Sequence, residues 1–242
     1  DLCSIRLVNG EKGRITAQDV LDNINSEDVH HPVSRLVCVE NTHNRGGGSY
    51  YSQSALQEIS DACKKNNLAL HLDGARILNA LTETKGKPSE TGKLFDTISF
   101  CLSKGLGAPV GSLLISSREK IKRARHLRKI MGGGMRQAGY LAAAGRFALE
   151  NNISRIPEDH RRARELGNVI ATLPFVTDLL PVQTNIILFT LDEKTGVEKF
   201  LSHLAARQIK ALPFGKNMIR FVTHLDINDD MIDATIAALK CF

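Results

Sequence analysis

Lys104 stands in SFCLSKGLGAPVGS (99–112), between an apolar run and a glycine-spaced turn. Those flanks predict partial burial, and desolvation lowers a lysine's pKa because the ammonium form loses its hydration. A neutral amine attacks carbonyls and forms Schiff bases. Taken singly, such a lysine more often carries its head into solvent. No GxxxxGK[ST] precedes it to make it a phosphate-loop lysine. Asp73, in HLDGAR, ends an apolar run that reads as a strand, and in open α/β sheets ligands bind at that edge. Its carboxylate could hold a proton on a ring nitrogen, and Arg76, about one helical turn on, could donate to an anionic oxygen. Equally, Asp73 could cap the following helix and leave Arg76 as a surface charge.

Other candidates carry less by themselves. Glycine triplets at 46–48 and 132–134 could bring backbone amides close to a phosphate or serve as hinges, and neither has GxGxxG spacing. His30, His31, His43, His71 and His224 each fit packing, capping or exposure as well as chemistry. REKIKRARHLRK (118–129) holds seven Lys or Arg against one Glu, which most often marks a solvated helix face. Only 5% of residues are aromatic and no helix-turn-helix spacing is evident, so nucleic-acid binding is disfavoured despite a net charge of +6.

These side chains need a scaffold, and 242 residues with 42% hydrophobic composition can bury one. The five cysteines, Cys3, Cys38, Cys63, Cys101 and Cys241, are scattered and lack CxxC spacing, so they read as reduced thiols with no metal site. No apolar run is long enough to span a bilayer, and the beginning lacks a secretory pattern, which makes the cytoplasm the expected compartment.

Short apolar runs alternate with amphipathic ones. Strands are expected at 34–40, 68–73, 95–103 and 111–116, with a helix capped by Ser54 after the first and GARILNALTE helical after the second. KGKPSETGK reads as a polar loop, and the opening DLCSIRLVNG as strand-like. In the helical stretch from Ser117, Ile121, Ala124, Leu127 and Met131 define an apolar face. A helix with Pro157 near its start follows, then strands at 184–191 and 218–224, a short IKALPF run between them, and a last helix capped at Asn228. The expected fold class is α/β: a large domain (1–150) with a mostly parallel sheet, and a small C-terminal α+β domain (151–242).

Taken in order, ENTHNRGGG, LALHLDGARILNA, DTISFCLSKGLGAPVGSLL, RKIMGGGMRQAGYLAAAGRFALE and IRFVTHLD closely resemble the threonine aldolases. These are pyridoxal-phosphate enzymes of the aspartate-aminotransferase type, fold type I, and the resemblance runs through nearly the whole chain. It implies that Lys104 holds pyridoxal 5'-phosphate through a Schiff base, Asp73 faces the pyridine nitrogen, and Arg76 lies near the ring's phenolic oxygen. It further implies Lys129 and Arg136 as basic residues near the cofactor phosphate or the mouth of the site, partly across a subunit boundary. Arg220 matches the arginine that clamps the substrate carboxylate, and His30 a histidine near the substrate hydroxyl.

The implied reaction is retro-aldol cleavage of L-threonine or L-allo-threonine to glycine and an aldehyde, in a homodimer or homotetramer with no nucleic-acid or membrane partner. Alternatives are β-elimination or racemisation on the same cofactor, or a catalytically silent, anion-binding chain. The family's glycine-threonine phosphate loop and ring-stacking histidine do not occur in this sequence. On that basis the 242 residues alone are expected to be incompetent, with the missing motifs upstream of Asp1.

Overall fold

The computed structural model describes residues 3–242, so Asp1 and Leu2 of the expected opening strand lie outside it. The rest of that stretch is not a strand: residues 3–10 carry no regular structure and are mostly exposed. Their apolar side chains, such as Ile5 and Leu7, have no strand or core to settle against among the described residues.

The first layer is built from α1 (Ala17–Asp22), β1 (Leu36–Glu40), α2 (Gln53–Lys65), β2 (Ala69–Asp73), α3 (Ile77–Thr84), α4 (Pro88–Gly92), β3 (Thr97–Cys101) and β4 (Ser112–Ser116). The strand order is β1-β2-β3-β4, parallel through the first three and antiparallel at β4. Successive strand side chains point to opposite faces. Val39, Leu70, Leu72, Ile98 and Phe100 are buried in one core with Leu56, Ile59 and Cys63 of α2. The alternate positions carry His71, Asp73, Thr97, Ser99 and Cys101, none of them buried.

Two local expectations shift and one holds. The cap of α2 is Ser52, whose hydroxyl accepts from the Ala55 N–H, while Ser54 lies inside the helix. The polar loop contains α4, because Pro88 at the first helical position has its φ already set and needs no hydrogen-bonded N–H. IKALPF contributes a strand, β7 (Leu212–Gly215), as the expected strand-helix-strand-strand-helix order of the small domain requires.

The second layer follows α5 (Arg118–Ile130) and α6 (Gly139–Asn151). It comprises α7 (Ile156–Ile170), β5 (Val176–Leu179), β6 (Ile186–Leu191), α8 (Val197–Ala205), β7 (Leu212–Gly215), β8 (Met218–Val222) and α9 (Asp229–Lys240). Its sheet is antiparallel, ordered β5-β6-β8-β7. Phe189, Phe200, Phe221, Leu204, Ile219 and Leu239 fill its core. Phe200 packs edge-on to Phe189 and Phe242 with ring centroids 5.9 and 5.3 Å apart, the favourable arrangement for aromatic quadrupoles.

Helix α7 links the layers. Ile156 belongs to the first core and Ala163, Leu166 and Ile170 to the second. Between them His160 is fully buried, its Nδ1 2.5 Å from Glu83 Oε1 and its Nε2 2.8 Å from Asn79 Oδ1, both on α3. A second link is the turn at 46–48: Gly48 has φ +74°, a Cβ there would come 2.2 Å from Thr184 Oγ1, and that hydroxyl donates to the Gly48 carbonyl.

The expected apolar face of α5 is not covered. No residue of this helix is buried: Ile121 and Ala124 are partly covered on the side of β4, and Leu127, Ile130 and Met131 are exposed, because past β4 the periodic pattern meets no packing partner among the described residues.

Candidate active site

The C-terminal ends of the parallel strands converge on the polar candidates. Asp73 is the last residue of β2 and sits in register with Glu40 of β1 and Ser99 of β3. Its Oδ1 accepts from the Ala75 N–H at 3.1 Å and lies 3.5 Å from the Ser99 hydroxyl. The helix-cap role does not hold: Arg76 occupies the N-cap of α3 and no side chain caps that helix. The exposed Asp73 carboxylate therefore keeps its outer oxygen for a ligand.

Nor is Arg76 a surface charge. Its half-buried side chain has a pKa held below the usual guanidinium value, first by burial and then by the positive charge of Arg220, while Glu40 and Asp73 act the other way. Two guanidinium groups thus feel each other beside two carboxylates. Arg76 stays protonated at neutral pH all the same.

Lys104 lies three residues beyond β3, at the same sheet edge as Asp73. Its carbonyl accepts from the Gly107 N–H at 2.8 Å, closing a turn that presents the side chain outward. The expectation of partial burial is corrected: Lys104 is exposed, because the turn projects beyond both neighbouring strands and only Leu102, Leu106 and Ala108 around it tuck into the core.

Arg220 on β8 reaches across to the first layer, where Nη1 donates to Asn44 Oδ1 at 3.0 Å. The Asn44 N–H in turn donates to Glu40 Oε1 at 3.1 Å. His43 Nδ1 accepts from the Gly46 N–H, which puts the ring proton on Nε2, 3.3 Å from Glu40 Oε2. This chain of contacts ties the strand-end carboxylates to the second layer.

The remaining candidates stand apart. His30 occupies an exposed turn, where its backbone N–H donates to Asp28. Lys129 lies in the last turn of α5, and Arg136 in the α5–α6 connection; both are exposed. Among the described residues no hydrogen bond or ion pair joins these three to Lys104, Asp73, Arg76 or Arg220. Sequence reasoning passed over Glu40 and Asn44, which lie in a motif whose glycines and histidine drew the attention; Glu40 at a strand end was the available signal.

An exposed amine, an open carboxylate and a half-buried guanidinium at one strand edge fit the aldehyde, ring nitrogen and phenolic oxygen of a pyridoxal ring. Asn41 Oδ1 and Thr42 Oγ1, just past β1, are buried without a partner at this same edge. The Asn41 N–H donates to the Asp73 carbonyl.

A family model described as beta-eliminating lyase matches residues 3–194. The low specificity L-threonine aldolase of Escherichia coli K12 is 36% identical over 230 residues, covering 95% of this chain and 67% of that one. Across four curated relatives, 34–38% identical and three of them named low-specificity L-threonine aldolases, this chain spans 57–67% of their length. Among solved structures, threonine aldolase from Leishmania major superposes with a TM-score of 0.79 at 22% identity, covering 96% of this chain and 68% of that one. Histidinol-phosphate aminotransferase from Clostridium acetobutylicum gives 0.67 at 17%, covering 96% and 69%. The fold is thus the expected aminotransferase-like one.

Proposed function

This chain belongs to the beta-eliminating lyase family, beside the low-specificity L-threonine aldolases, and from that premise we propose that the full-length protein cleaves β-hydroxy-α-amino acids to glycine and an aldehyde. The single observation that carries the reading is the convergence of Asp73, Arg76 and Arg220 at the strand edge where Lys104 emerges. Pyridoxal phosphate, when bound, supplies an aldehyde that condenses with amines and a ring that accepts electrons from Cα.

Each side chain then has a definite task. Lys104 supplies the amine that anchors the cofactor and yields to the substrate amine. Asp73 keeps the ring nitrogen protonated through its open carboxylate oxygen. Arg76 donates to the phenolic oxygen, and its proximity to Arg220 makes the pair a strong attractor for anions. Arg220 binds the substrate carboxylate and so fixes which Cα bond faces the ring. In the cleavage itself the β-hydroxyl loses its proton, the Cα–Cβ bond breaks, the former hydroxyl carbon leaves as the aldehyde, and Cα is reprotonated to glycine. The proposed group for the hydroxyl proton is His30, a second histidine or a bound water.

Lys129 and Arg136 fit the phosphate, reaching it from a second copy of the chain. The exposed Met131 and Met135 of the α5–α6 connection and Tyr140 and Phe147 of α6 support such a dimer or tetramer. No helix among the described residues is long and apolar enough to cross a membrane; the proposed compartment is the cytoplasm. Residues 1–150 and 151–242 are proposed as the two domains.

The test is incubation of the full-length, cofactor-loaded protein with L-threonine and L-allo-threonine, with glycine and acetaldehyde quantified. Equimolar release supports cleavage. The family's description favours one competitor, β-elimination, whose ammonia and keto-acid products without glycine would overturn the aldolase reading.

A further inference from the structure

Arg220 is held by two residues that have no part in the chemistry above. Phe214 lies on edge strand β7, where Pro213 pairs with Ile219 and Gly215 with Met218, so Phe214 is the extra residue of a β-bulge. Bulges commonly re-aim a side chain beside a functional site. Here the ring lies under the Arg220 guanidinium, 4.7 Å from centroid to Cζ, while the exposed Arg45 approaches the same ring at 5.7 Å. On its other side Arg220 Nη1 is fixed by Asn44 Oδ1, and Asn44 is itself anchored through its N–H to Glu40.

A guanidinium has five N–H donors in a rigid plane. Among the described residues only Asn44 accepts from that of Arg220, and no carboxylate forms an ion pair with it. Phe214 fixes the plane by stacking on its face, which uses none of the donors, and Asn44 fixes rotation within the plane by occupying one. The remaining donors are left for a ligand, and the charge of Arg76 nearby favours an anion over a cation there.

We propose that Phe214 and Asn44 are positioning residues that pre-orient Arg220, and that they set the preference of the site for a free α-carboxylate over an uncharged carboxamide. Orientation paid for in the fold need not be acquired on binding. This inference rests on Arg220 being the carboxylate ligand under the proposed function.

Binding of glycine and of glycinamide to the full-length, cofactor-loaded protein is compared by titration calorimetry, which needs no turnover. The unaltered protein prefers glycine. Phe214→Leu keeps apolar bulk but removes the π-face, and lowers that preference about two- to tenfold; Phe214→Tyr retains it. Asn44→Asp places a carboxylate on the Arg220 fork and weakens glycine about tenfold or more, with glycinamide little changed. Because Asn44→Asp acts from the loop and not from β7, it tests the idea even where Phe214→Leu unfolds the strand.

No preference in the unaltered protein, or a preference untouched by both Phe214→Leu and Asn44→Asp, overturns the proposal. An equal weakening of both ligands also overturns it, since that is what general loosening would do. Failure to cleave threonine alongside an intact, variant-sensitive glycine preference defeats the aldolase reading and leaves the clamp standing.

Discussion

β2 and β6 are both inner strands of four-stranded sheets, yet they bury their side chains in opposite ways. In β6, Ile186, Ile187, Leu188 and Phe189 are each 0–1% exposed, so both faces are covered. In β2 only Leu70 and Leu72 are buried, and His71 and Asp73 alternate with them on the accessible face. Parallel sheets are ordinarily covered on both sides and antiparallel ones often on one. This molecule reverses the rule: its antiparallel sheet is the stability platform, while its parallel sheet keeps polar groups free at the edge where ligands bind. The two regions should therefore fail by different measurements.

The largest contrast lies between turnover and stability at Lys104. Lys104→Ala should lower aldol cleavage by on the order of 10³-fold or more, and borohydride reduction followed by peptide mapping should find no pyridoxyl group at that position. Because the side chain is exposed, chemical denaturation should shift by less than about 0.5 kcal/mol. A large loss of stability would mean that the polar edge is structural after all.

Phe200→Ala should show the converse. The ring is fully buried among Phe175, Phe189 and Phe242, and its removal should cost about 3–5 kcal/mol in urea unfolding. A melting profile close to the parent's would remove the second sheet's claim to be the platform.

A smaller effect should arise where the layers meet. Burial holds the His160 pKa below the ordinary imidazole value of 6.5, outweighing the nearby Glu83 carboxylate. The unfolded chain then binds more protons than the folded one just below pH 6.5, so stability is fully present above that value and falls as the pH drops through the lowered folded value. His160→Gln should flatten this dependence in pH-resolved thermal melts. A parent whose stability rises on acidification from pH 6.5 would contradict the sign.

The smallest effect belongs to the open side of the first sheet. Leu114 on β4 is 46% exposed, and Leu114→Lys should change unfolding free energy by no more than about 0.5 kcal/mol. A cost comparable to that of Phe200→Ala would erase the difference between the sheets.

How much of this was legible in the sequence follows from what covers each segment. The strands were readable wherever apolar residues meet a core, as at Leu70 and Leu72, and the α9 cap at Asn228 was found because its chemistry is local. The face of α5 was misread because periodicity reports an intent to pack and cannot show whether a partner is present. Burial of Lys104 failed for a related reason: apolar flanks do not fix the direction in which a turn projects. Asp73, Arg76 and Arg220 were singled out through ordered motifs. Their mutual approach depends on the Arg220 side chain reaching from β8 to the first layer, and 144 positions separate Arg220 from Arg76. Phe214 carried no signal, since a bulge is a property of two paired strands and not of either alone.

β4 closes one side of the first sheet, pairing with β3 and with no other strand among the described residues. Leu113, Leu114 and Ile115 in its middle are 44–50% exposed, and its outer backbone N–H and C=O groups have no ladder to join. A short, uncharged, apolar strand with one free hydrogen-bonding rim is a template for edge-to-edge growth. Handling the 242-residue chain in isolation should thus be limited by concentration-dependent precipitation well before it is limited by unfolding. A gatekeeper charge on β4 would be the remedy to try before any change to buffer or temperature.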